Sequence, residues 1–123
     1  MIRMLFTGLA LSIFIAPLAA EATIPLCPNG VPPETEKEDF VKAKNKAASD
    51  NPGSVYSNRT SPGLPRVAGV KKNYYEYDLG SNATGGAGQH RAVLLVEAGS
   101  VLVAYYTADH YKSWCKIDID KYK

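Results

Sequence analysis

The sequence predicts an α+β domain, one helix packed on an antiparallel β-sheet, and three observations predict it. An acidic, proline-led stretch from Pro32 opens a stripe of apolar residues at helical spacing. After Val55 the chain turns to short β-branched and aromatic runs separated by glycine, proline and asparagine. Two cysteines, Cys27 and Cys115, stand near the two ends of this region, placed to tie it together. A helix followed by strands is the segregated order of α+β proteins.

The elements follow in chain order. Residues 1–20 read as a signal peptide: Met1-Ile2-Arg3 is a positive start, and Met4 to Ala16 is apolar apart from Thr7, Gly8 and Ser12. Small residues then lead to a cut after Ala20 or Ala22. A membrane anchor needs about 20 apolar residues, and this run is too short. Residues 21–123 are then one secreted domain. Pro25, Pro28, Gly30, Pro32 and Pro33 make residues 23–33 an extended arm around Cys27. The acidic run Glu34 to Asp39 suits the first turn of a helix, where the dipole favours negative charge. Phe40, Ala43 and Ala47 form its narrow buried stripe, Lys42, Lys44 and Lys46 its solvated face, and Asn51-Pro52-Gly53 its end. Val55 and Tyr56 suggest a short strand, Ser61 to Pro65 a loop, and Val67 to Leu79 a strand rich in tyrosine. Gly80 to Gly88 is a glycine-rich loop. Arg91 to Val96 and Val101 to Tyr106 form a hairpin about Glu97-Ala98-Gly99-Ser100, and a last strand near Ser113 to Ile119 carries Cys115.

In an oxidising secretory route Cys27 and Cys115 should pair, and chain-entropy models give so long a loop about 4–5 kcal/mol. Two isolated cysteines without CxxC spacing argue against a metal, and no cofactor is expected. Arg3 is one of 14 basic residues, so the mature chain carries 13 against 12 acidic ones, a formal +1. A dedicated nucleic-acid binder is usually far more basic, so only a local basic patch is open to it. Asn58-Arg59-Thr60 and Asn82-Ala83-Thr84 are N-glycosylation sequons in turn-like surroundings.

Tyr74-Tyr75-Glu76-Tyr77, the Gly85-Gly86 loop and Arg91 at the head of an apolar strand resemble the small guanyl-specific ribonucleases secreted by fungi. The resemblance implies a microbial ribonuclease-like fold, with the site on the concave face of the sheet. It makes Glu76 the counterpart of the catalytic glutamate, Arg91 of the phosphate-binding arginine, and Tyr56 of the tyrosine that contacts phosphate. Trp114 falls where an aromatic residue packs beside the scissile group. Two positions depart: Asn58, two residues after Tyr56, stands for one catalytic histidine, and Tyr106, 15 residues after Arg91, for the other. The asparagine-rich guanine-reading stretch is replaced by Ser61-Pro62-Gly63-Leu64.

RNA cleavage without a metal needs a base for the 2′-hydroxyl proton, an acid for the leaving oxygen and cations for the phosphate charge. Asparagine exchanges no protons, and a tyrosine with an ordinary pKa near 10 is a poor acid at neutrality. Each lost acid or base costs about 10²–10⁴-fold. His90, next to Arg91, points to the opposite face of a regular strand and reads as a solvated surface histidine. His110, in the loop after Tyr106, could swing inward. The tyrosines are otherwise ordinary sheet packing, and Glu76 with Arg91 could be a cross-strand ion pair.

The missing histidines and the cysteine at each end resemble the RNase-like effectors of powdery mildew fungi, although Pro25-Leu26-Cys27 lacks their aromatic-x-Cys start. The resemblance implies a non-enzymatic virulence effector, secreted and then carried into the host cell. Its partners would be a host protein, RNA held by Tyr56, Glu76, Arg91 and Trp114, and a plant immune receptor. No membrane association is implied, and a monomer is expected. The alternatives are a weak ribonuclease using Glu76 and His110, and an extracellular glycoprotein whose glycan on Asn58 would block the groove.

Overall fold

A computed structural model describes residues 23–60, 63–67, 71–80 and 88–122 of the chain. The expected signal peptide, the Asn82 sequon, Ser61-Pro62 and the Gly85-Gly86 loop lie outside these residues. One helix, α1 (Lys37–Ala47), packs on a four-stranded antiparallel sheet of β1 (Lys72–Asp78), β2 (Arg91–Glu97), β3 (Ser100–Thr107) and β4 (Cys115–Ile117). The strands lie in chain order, with the predicted β2–β3 hairpin at the centre of the sheet, and the α+β expectation holds.

Helix α1 forms as its apolar spacing dictates, with Phe40, Ala43 and Ala47 buried against the sheet. Small alanines let the helix approach closely, and Phe40, fully buried, fills the gap they leave. The helix begins later than the acidic run suggests. Residues Glu34–Glu36 form a single 3₁₀ turn, and Glu36 is buried rather than solvated.

The β2–β3 hairpin closes through Ala98 and Gly99, whose φ values of 48° and 79° are both left-handed. This is the two-residue geometry whose twist matches that of the strands. A bulge interrupts the pairing: Leu95 opposes Val103 and Val96 opposes Val101, so Leu102 is the extra residue. Leu102 is accordingly 40% exposed. Three strand expectations are shortened. Residues 54–56 meet β1 through one bridge, Val55 to Tyr75, because Asn58 turns left-handed just beyond it. Strand β1 begins at Lys72, with Val67 outside it. Strand β4 stops at Ile117, where Asp118 accepts the Asp120 and Lys121 amides and starts a 3₁₀ turn.

The sheet is apolar on both faces. Ala92, Leu94, Val96, Ala104, Tyr106 and Ile117 pack toward α1. Tyr56, Leu64, Tyr74, Val93, Tyr105 and Trp114 form a second cluster on the other face. The N-terminal arm lies along the outer edge of β4: Cys27 N donates to Lys116 O at 2.8 Å, and Lys116 N to Pro25 O at 2.7 Å. That cover protects a strand edge otherwise open to pairing. The Cys27–Cys115 disulfide, with Cα atoms 4.8 Å apart, fixes the arm there, as expected. No helix among the described residues is long and apolar enough to cross a membrane.

Candidate functional site

Register places the site on the face away from α1. Glu76 opposes Val93, which opposes Tyr105, while Asp78 opposes Arg91, which opposes Thr107. Residues two apart along a strand share a face, so Glu76 and Arg91 stand on one face, although the carboxylate that Arg91 pairs with is Asp78 and not, as the ion-pair reading had it, Glu76. The Arg91 side chain is only 12% exposed: Nε meets Asp78 Oδ1 at 2.8 Å, and Nη1 donates to Gly88 O at 2.7 Å and His90 O at 2.9 Å. Such multiple anchoring fixes the plane of a guanidinium.

Tyr56 and Trp114 join this face through a residue that sequence reasoning missed, Tyr111. Its hydroxyl donates to Glu76 Oε2 at 3.0 Å. Its ring stacks on Tyr56 with centroids 5.2 Å apart and lies 5.8 Å from Trp114. Tyr56 and Trp114 meet edge to face at 5.8 Å. Burial first, and then the bond to Glu76, push the Tyr111 phenol up to about 12, against the opposing pull of the nearby Arg91 guanidinium. Burial also raises Tyr56, opposed by the bond between its hydroxyl and Thr60 Oγ1.

The two positions expected to replace histidines behave differently. Asn58, left-handed at φ 55°, uses its amide to close its own loop: Nδ2 donates to Leu64 O at 2.9 Å, and Leu64 N to Oδ1 at 2.7 Å. Tyr106 does not face Glu76 at all, which corrects the expectation. It points to the helix side and donates to Glu36 Oε2 at 2.7 Å. The β3 residue beside Arg91 is Thr107, 1% exposed, whose hydroxyl donates to Asp109 at 2.9 Å.

His90 is likewise not simply solvated. Its Nδ1 contacts Glu36 Oε1 and lies 2.9 Å from the Tyr106 hydroxyl. With Tyr106 donating to the other oxygen, the imidazole presents its Nδ1–H to the carboxylate. Burial, and then the bond to Glu36, hold the Tyr106 phenol far above its ordinary value. Nothing in the spacing of residues 36, 90 and 106 announces this cluster; only the fold assembles it. His110 is exposed, with its ring 4.8 Å from that of Tyr111. Among the described residues no group of three His, Cys, Asp or Glu side chains could hold a metal ion.

The face therefore gathers an acceptor, Glu76, a fixed cation, Arg91, and three rings packed on one another, of which Tyr56 and Trp114 are buried. Groups of these kinds hold a phosphate and stack a base once they are accessible. The model of a protein family described as ribonuclease matches residues 19–118. No curated protein and no solved structure matches the chain.

Proposed function

Because the chain belongs to the ribonuclease family, we propose that it is a secreted, non-catalytic member that holds RNA without cutting it. The observation that carries this reading is the chemistry of the Glu76–Arg91 face. Tyr111 touches Glu76, while His90 is turned to Glu36 on the far side of the sheet and His110 is exposed beside Tyr111. The general acid and base of metal-free cleavage need groups that exchange protons near neutrality. The Tyr111 phenol, raised to about 12, is a poor one.

Binding needs less. Arg91 supplies the charge-assisted contact to phosphate, Glu76 accepts from a ribose or base donor, and Tyr56 and Trp114 give apolar faces to a base. Support for an effector role comes from the resemblance already described, including the Cys27–Cys115 bridge between the two ends of the mature chain. The host cell is then the place of action, with host RNA the ligand, and a host protein or a plant immune receptor a further partner of the surface. A weak ribonuclease is the second reading, favoured by the retention of Glu76 and Arg91 on one face.

Anisotropy of a labelled single-stranded RNA tests the binding role. Arg91→Ala should weaken binding by about tenfold or more, the worth of one hydrogen-bonded charge contact. Equal affinity in a folded Arg91→Ala variant would remove the proposal.

A further inference from the structure

The space between Glu76 and Arg91 is already filled. The Tyr111 hydroxyl donates to Glu76 Oε2 at 3.0 Å, and the Arg91 guanidinium lies close enough to act on the same phenol. The ring is held flat against Tyr56, the planes 25° apart. A phosphate oxygen lodged between those two charged groups would need the position of this hydroxyl.

The backbone that delivers the tyrosine is strained. His110 and Tyr111 have φ values of 55° and 73°, a region that side chains bulkier than glycine rarely enter and seldom in succession. Hydrogen bonds within and beside the loop hold it there. Tyr111 N donates to Thr107 Oγ1 at 3.1 Å, which itself donates to Asp109. Asp109 also accepts Ser113 N at 2.9 Å and Ser113 Oγ at 2.5 Å, and His110 N donates to Gln89 O at 3.0 Å. Strain of this kind persists only where the surroundings over-determine it.

We propose that Tyr111 is an internal plug, seated where an RNA phosphate would bind, and that RNA enters only when the 108–113 loop carries it out. The proposal rests on the RNA-binding reading and adds regulation to it. A ligand that binds only the open form has its affinity lowered by the fraction of molecules that are open. Removing the hydroxyl bond to a charged partner raises that fraction by about tenfold or more.

The test is RNA anisotropy on the oxidised protein, its Tyr111→Phe variant and its Tyr111→Ala variant. Tyr111→Phe keeps the ring stack and loses the hydroxyl, and should bind about tenfold more tightly than the parent. Tyr111→Ala, which removes the ring as well, should bind at least as tightly as Tyr111→Phe. Should Tyr111→Ala fail to fold, Tyr111→Phe carries the test alone. Unchanged or weaker binding by Tyr111→Phe overturns the plug while leaving the RNA reading standing, because Tyr111 is then a contact for RNA or a bystander. Absence of RNA binding in all the proteins, all folded, overturns the RNA reading and the plug with it.

Discussion

At the scale of single residues, the tyrosines do work that their number in the sequence conceals. Tyr77 donates to Pro52 O at 2.6 Å and Tyr111 to Glu76, and burial leads the causes that raise both phenols to about 12. Tyr106, bound to Glu36, is raised as well. These are acids held neutral by the fold, with folded values above the unfolded value of 10.0. The stability they contribute is complete below that value and is lost as pH rises toward about 12. Urea midpoints should therefore stay level to about pH 9 and fall steadily above about pH 10. A midpoint that stays level across the whole alkaline range would contradict this assignment. None of these bonds was legible in the sequence, where each tyrosine fits equally well as sheet packing.

At the scale of elements, most of the plan was legible. Proline and acidic residues announce the helix start, the Phe40, Ala43, Ala47 spacing gives its buried face, and Ala98-Gly99 marks a tight turn. These signals are local, which is why they survive into the fold. Ala98 is a poor choice for a left-handed position, costing about 1 kcal/mol that asparagine or glycine would largely avoid. Ala98→Asn should raise the unfolding free energy by about 0.5–1 kcal/mol, read from urea denaturation. A lower midpoint would show that the alanine side chain packs against something the turn needs. The bulge at Leu102 was not legible, and it has a large consequence. The pairs nearest the turn, Glu97 with Ser100 and Val96 with Val101, extrapolate to Tyr106 opposite Arg91. The extra residue moves Thr107 there instead and turns Tyr106 to the other face. Counting 15 residues from Arg91 therefore reaches the right strand and the wrong side.

At the scale of the whole molecule, the chain is a microbial ribonuclease fold closed by a bond between its ends. Glu76, Arg91, Tyr56 and Trp114 gather on one face, as expected from their order. What could not be read was the loop that completes that face, because Tyr111 reaches Glu76 only through a left-handed turn held by Thr107 and Asp109. The same loop sets a phenol raised to about 12 beside Glu76, where a group exchanging protons near neutrality would be needed to cut RNA. Incubating RNA with the oxidised protein, beside its Glu76→Gln variant, decides between binding and cleavage. Intact RNA is expected with both proteins. Cleavage by the parent that disappears in Glu76→Gln would make the chain an enzyme and contradict the non-catalytic reading.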